Sequence, residues 1–286
     1  MSTTEIEKVR SEDGTEIAYH RDGHGPALVF VDGAFCTRTM GPGHTLAPTL
    51  STQFTTFTHD RRRRGDSGDT SSYEPKREIE DLAAIIDEAD GPAFVFGHSS
   101  GAILALEAAR AGLPIKGLVV YEPPVVVDDS RPPVARDFPE RVARLAASGH
   151  PRGVVRAFMT EAIRAPKPVA ILMSAMPGGG RMRTIAHTVA YDAIIMNPYQ
   201  QGTTSPKQLC SSVQASTLVM VGGKSPQWMQ SGCEMVAASL PNARLARLDG
   251  QAHMVKSKAT APVVSDFLAE ALSSPSSPSQ PNGDVR

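Results

Sequence analysis

Several things are scarce in this chain. It has 3 cysteines in 286 residues, Cys36, Cys210 and Cys233, an odd number set far apart. That excludes a disulfide framework or a zinc knuckle and leaves the expectation of unpaired thiols in a reducing cytoplasm. There is no excess of either charge: 29 Lys+Arg against 30 Asp+Glu give a formal net charge of −1. Such a chain is a poor general binder of nucleic acid or of an anionic membrane. No apolar run approaches the roughly 18–20 residues that span a bilayer, and the first ten residues, MSTTEIEKVR, lack the apolar core of a signal peptide. The 8 histidines show neither HxH nor HExxH spacing, so no metal is expected. The remaining partner is a small molecule, handled by a monomer or homodimer.

What is present is ordinary globular material. Hydrophobic residues make up 41% and charged residues 21%, which excludes full disorder. Residues 4–10 and 15–21 read as two strands around a turn at Asp13-Gly14. Short apolar runs at 27–31, 54–58, 93–96 and 116–121 read as buried strands. Between them, residues 76–89 place Ile79, Leu82, Ala83 and Ile86 on one helical face, and 102–110 is helix-like. Strand–helix alternation of this kind predicts an α/β protein with a mostly parallel sheet. After Glu122 the pattern breaks into a proline-rich stretch of short helical segments, with a flexible joint expected at Gly178-Gly179-Gly180. Alternation resumes at 217–222 with a helix over 227–239, a strand over 243–248 and a helix over 259–272. The expected organisation is core residues 1–123, a helical lid at 124–206, core residues 207–272 and a disordered Ser/Pro-rich tail at 273–286.

Residues 97–101 read Gly-His-Ser-Ser-Gly, a match to G-x-S-x-G. The match follows the buried run AFVF and precedes the helical AILALEAAR, the strand–turn–helix setting that the motif needs. A very tight turn lifts a nucleophile above the sheet edge and requires glycine where a side chain would clash. The following helix then aims amide groups and a positive dipole end at the reacting oxygen.

The order of a strand, Asp32-Gly33-Ala34-Phe35, the Gly97–Gly101 pentapeptide and a late His253 resembles the α/β-hydrolase fold superfamily. The resemblance covers nearly the whole chain except lid and tail. It implies an eight-stranded, mostly parallel sheet flanked by helices, Ser99 as nucleophile, and the backbone N–H groups of Ala34 and Ser100 as oxyanion hole. His253, directly after the strand-like 243–248, fits the base that a serine hydroxyl needs. Phe35, His98, Trp228 and Met254 flank these positions and are the expected substrate contacts; for Trp228, helix packing is an equal alternative.

The acid departs from the family's pattern. Its usual position, after the strand at 217–222, holds Ser225, which cannot stabilise an imidazolium as a carboxylate does. Glu122 ends the neighbouring core strand and is the favoured candidate, because adjacent parallel strands end side by side. Asp249, an ion pair between Glu122 and an arginine, and an acid-free dyad remain alternatives.

Arg61–Arg64 form the densest basic cluster; Asp60, Asp66 and Asp69 flank it, and a neutralised structural loop without catalytic role is expected. The lid carries Met159, Met173, Met176, Met182 and Met196, an adaptable apolar surface. Together these features lead to a serine hydrolase of a small-to-medium hydrophobic ester, lactone or thioester, a reaction for which no cofactor is expected. The alternatives are a non-hydrolytic binding, proton-transfer or cyclisation protein on the same scaffold, motivated by Ser225, and a C–C bond hydrolase, which would also use Ser and His.

Overall fold

The computed structural model describes residues 5–70, 72–175 and 179–273. Eight strands form one sheet: β1 (Glu7–Arg10), β2 (Glu16–Gly23), β3 (Ala27–Val31), β4 (Thr55–His59), β5 (Ala93–His98), β6 (Ile115–Tyr121), β7 (Ser216–Gly222) and β8 (Ala243–Leu248). Their spatial order is β1-β2-β4-β3-β5-β6-β7-β8. β2 pairs antiparallel with β1 and β4, and every pairing from β4 through β8 is parallel.

The apolar runs are buried on both faces, as parallel strands require. In β5 all six residues are buried. Alternation divides them: Val95 packs into one core, while Phe94 and Phe96 pack into the other. The first core is covered by α2 (Pro75–Glu88), α3 (Ser100–Arg110) and α10 (Gln227–Ser239). The second is covered by α1 (Pro42–Leu50) and α11 (Ser257–Ser273). The helix expected at 76–89 is thus present within a residue. α1 has no counterpart in the sequence reading: Pro42 and Gly43 open it and Pro48 lies inside it, so its residues look like a loop.

β3 and β5 are neighbours, yet the chain leaves them in opposite directions, through α1 on one face and α3 on the other. Such a switch point opens a crevice at the carboxyl ends of the strands. Among the described residues, six α-helices lie between β6 and β7, with a π-helical turn at Phe158–Ala162 and a 3-10 turn at Ala186–Thr188: α4 (Phe138–Ala147), α5 (Pro151–Ala157), α6 (Lys167–Ala175), α7 (Gly179–Thr184), α8 (Val189–Gln200) and α9 (Pro206–Leu209). α4, α5 and α8 build a third apolar cluster that includes Val142, Val155, Phe158 and Met196, and Phe35 from the loop after β3 joins it. Gly179 and Gly180 open α7, while Gly178 and Met176 lie outside the described residues, as do residues 274–286 of the expected tail.

Candidate active site

Ser99 sits between β5 and α3 with φ 55° and ψ −122°, a left-handed φ rare for a residue with a side chain. Three glycines permit the turn. A Cβ on Gly101 would come within 2.0 Å of the Val31 carbonyl oxygen, and one on Gly97 within 2.7 Å of the Ala102 Cα. A Cβ on Gly33 would meet the Ser99 Cβ at 2.9 Å. The loop after β3 therefore runs against the Ser99 turn only because residue 33 has no side chain. Ser99 itself is 4% exposed.

His253 lies in the loop between β8 and α11, and its Nδ1 stands 2.7 Å from Glu122 Oε2. A carboxylate accepts, so Nδ1 carries the proton and Nε2 keeps the lone pair. Glu122 follows β6, is fully buried and has φ 50°. Its other oxygen, Oε1, accepts from the Gly222 amide at 2.8 Å and from the Ser225 hydroxyl at 2.5 Å. Ser225, at the acid's usual position, thus holds the carboxylate that faces His253. Asp249 is exposed, and the arginine pairing considered for Glu122 does not occur: its ionic partner is His253.

The His253 loop is held from beneath. Tyr121 donates its hydroxyl to the Ala252 carbonyl at 2.8 Å, and His98 Nε2 lies 3.1 Å from the His253 carbonyl oxygen. Burial lowers the His98 pKa to about 3, so the ring is neutral, with its proton on the nitrogen that faces the carbonyl. His98 is therefore an anchor of the His253 loop.

Among the described residues, the amides of Ala34 and Ser100 have no protein acceptor. One lies on the loop against which Ser99 turns and the other at the first position of α3. No group of three or more His, Cys, Asp or Glu among the described residues could hold a metal ion.

The sequence model of the alpha/beta hydrolase family matches residues 24–261. The chain belongs to that family. An alpha/beta hydrolase from Sphaerobacter thermophilus is 47% identical, with 92% of this chain and 100% of that one covered and a TM-score of 0.85. A thermophilic esterase from Thermogutta terrifontis is 18% identical over 93% of this chain and 99% of that one, with a TM-score of 0.71. An enol-lactonase from Burkholderia xenovorans is 17% identical over 92% and 100%, with a TM-score of 0.68. The last two share the fold, and at that identity nothing finer is carried over.

The residues expected to contact substrate in this hydrolase are placed unevenly. Phe35, with φ 59°, is buried and meets the Phe158 ring edge-on at 5.3 Å, which ties the loop after β3 to the helical insertion. Trp228 is buried in the core on α10, with the Arg131 guanidinium 4.5 Å from its ring centre, so its helix-packing alternative describes its position. Met254 is 76% exposed beside His253. No helix among the described residues is long and apolar enough to cross a membrane.

The arginine run is ion-paired throughout, but mostly by partners other than the flanking aspartates that its sequence reading names. Arg61, Arg62 and Arg64 are each 2% exposed or less. Arg62 pairs with Asp81 and Asp13. Arg61 pairs with Glu78 and with Asp192 on α8, and Arg64 grips Asp192 through both carboxylate oxygens at 2.7 and 2.9 Å. Burial opposes the charge of Asp192, but Arg64 and Arg61 outweigh it and hold the carboxyl below its ordinary pKa. Of the three flanking aspartates, Asp60 and Asp66 pair with Arg38, and Asp69 pairs with the half-exposed Arg63. A partner that arrives from so far along the chain leaves no mark in local sequence.

Proposed function

We propose that this hydrolase cleaves a small-to-medium hydrophobic ester, lactone or thioester through an acyl-enzyme on Ser99. The observation that carries the reading is the 2.7 Å contact between Glu122 and His253 Nδ1, in a loop bonded by His98, the residue before Ser99 in its strained turn. Ser99 Oγ attacks the substrate carbonyl carbon while His253 Nε2 takes the hydroxyl proton. The new oxyanion accepts from the amides of Ala34 and Ser100. Collapse expels the alcohol or thiol, which leaves with the proton from His253. Water then attacks the acyl-enzyme with His253 again as base, and the acid departs. Glu122 keeps His253 in the useful tautomer and stabilises the imidazolium.

The helices within 124–206 serve in this reading as the lid. Their apolar cluster reaches the oxyanion loop at Phe35, which favours a hydrophobic acyl or leaving group. The non-hydrolytic alternative drew its motive from Ser225; a carboxylate already seated against His253 weakens that motive.

The test is labelling with a serine-directed fluorophosphonate followed by peptide mapping, together with hydrolysis of p-nitrophenyl butyrate. One adduct on Ser99 is expected, none in Ser99→Ala, and turnover in that variant should fall by about 10⁴-fold or more. Folded wild-type protein that neither labels nor hydrolyses any ester, lactone or thioester of a panel would sink the proposal.

A further inference from the structure

The ionic network around Arg61 and Arg64 touches both halves of the proposed oxyanion hole. On the loop after β3, Arg64 Nη1 donates to the Gly33 carbonyl oxygen at 2.6 Å and to that of Cys36 at 3.2 Å, and Arg61 Nη1 donates to that of Asp32 at 3.2 Å. The Gly33 carbonyl and the Ala34 N–H belong to one planar trans peptide and point in opposite directions. Fixing the oxygen against a buried guanidinium therefore fixes the direction of the Ala34 N–H. A charge-assisted bond to the oxygen also polarises the amide and strengthens its N–H as a donor. On the other half, the Ser100 hydroxyl donates to Asp192 Oδ1 at 2.7 Å, which fixes the residue whose amide is the second donor.

Both ties end on one group. Asp192 is fully buried on α8, inside the insertion between β6 and β7. It accepts from Ser100, Arg61 and Arg64. Its charge is paired rather than bare: Arg61 and Arg64 both contact it, and Arg61 also pairs with Glu78.

We propose that Asp192 is a positioning residue which, from the helical insertion, sets the direction of both oxyanion-hole amides, one through Arg64 and the Gly33 carbonyl and the other through the Ser100 hydroxyl. The insertion then does more than cover the site: a displacement of α8 would take the common acceptor from both halves together. This inference rests on the serine-hydrolase reading above.

The experiment compares Asp192→Asn with wild type in four readouts: kcat and KM for p-nitrophenyl butyrate, the second-order rate of fluorophosphonate labelling, inhibition by phenylboronic acid, and the pH–rate profile. Phenylboronic acid forms a tetrahedral adduct on serine and reports the hole directly. The expected result is a tenfold or larger fall in kcat and labelling rate, and a matching rise in the boronate inhibition constant. KM should stay within about threefold and the pH–rate inflection should not move, because Glu122 and His253 are untouched. Arg62→Lys is the control. It disturbs an equally buried ion pair that touches neither peptide, and it should lower the unfolding midpoint with kcat unchanged. Folded Asp192→Asn with wild-type kcat and boronate affinity would overturn the proposal, as would an equal loss of kcat in Arg62→Lys.

Should Asp192→Asn fail to fold, Ser100→Ala cuts only one tie, and a threefold to tenfold loss in labelling rate and boronate affinity is expected; no loss in either counts against the inference. An inert wild type would instead sink the serine-hydrolase reading. Hydrogen exchange at the Ala34 and Ser100 amides then decides the geometric claim: faster exchange in the variant supports it, and unchanged exchange in both overturns it.

Discussion

The residue before Ser99 and the residue after it lead into two different environments. His98 reaches back to the His253 loop, whose carbonyls it and Tyr121 hold, while His253, the Gly222 amide and Ser225 all bond a single carboxylate, Glu122. Ser100 reaches forward to Asp192 and a network of buried arginines and carboxylates. Both carboxylates are fully buried. No donor to Glu122 is a permanent cation; on the Asp192 side two donors are. The difference matches what each side does in the proposed mechanism. There a proton comes and goes at His253, and a fixed cation beside it would oppose the transient imidazolium. The Asp192 side moves no proton, and permanent charges suit a scaffold that only has to hold still. Breaking such a buried pair leaves an uncompensated charge and costs about 3–5 kcal/mol.

The strongest way to break the comparison is Glu122→Gln. An amide keeps the volume and still accepts from Gly222 and Ser225, but it cannot stabilise an imidazolium. The expected loss in kcat is on the order of 10³–10⁴-fold, with the unfolding midpoint little changed, measured by steady-state kinetics and a thermal melt of the same sample. If kcat survives within tenfold, either another acid serves His253 or none is needed. The two carboxylates would then differ in surroundings without differing in role.

The two sides were also unequally legible. Ser99 and His253 announce themselves through short local patterns, a glycine-flanked serine after a buried strand and a histidine after the last one. Glu122 could be reached by topology, because β6 and β7 are adjacent and their ends meet. Nothing local announces Asp192, which lies 131 residues from Arg61. The aspartates next to the arginine run suggested local neutralisation, and Arg63 alone follows that expectation, with Asp69. Charge counting along the chain cannot say which arginines fold inward. A pair that forms across the sheet and insertion depends on packing that no window of sequence contains. Trp228 teaches the same lesson at smaller scale: its neighbour Arg131 lies 97 positions away by residue number and across the fold.

A second test concerns the charge of the Glu122 side. His98 is neutral there because burial lowers its pKa to about 3, against an ordinary value near 6.5. Between those values the unfolded chain binds a proton that the folded chain does not. The contribution of His98 to stability is therefore present above about pH 6.5 and is lost as pH falls. His98→Gln can still donate to the His253 carbonyl but cannot take up that proton. The difference in unfolding free energy, wild type minus variant, should decline below about pH 6.5 with a slope approaching about 1.4 kcal/mol per pH unit. Other groups, including the buried His59, are common to both proteins and cancel. A difference that stays flat from pH 7 to pH 4.5 would show that His98 is protonated in the folded protein, and the Glu122 side would then hold a cation after all.

The finest test separates the two donors on Glu122 Oε1. Ser225→Ala removes the hydroxyl at 2.5 Å and leaves the Gly222 amide at 2.8 Å, which the end of β7 holds in place. A backbone donor cannot swing away, so the carboxylate should keep its orientation toward His253. Losing one of two donors also makes the carboxylate a somewhat better acceptor for the imidazolium, which offsets part of any loosening. The expected effects are a fall in kcat of less than about tenfold and a loss of stability of about 1–2 kcal/mol, the range for a hydrogen bond to a charged group. Rapid-quench kinetics and urea denaturation on one preparation would measure both. A loss of a hundredfold or more would reassign the orienting role from the Gly222 amide to the Ser225 side chain. Serine at the acid's usual position would then be a working part of the relay, and the neutral side would depend on a side chain as strongly as the ionic side depends on Asp192.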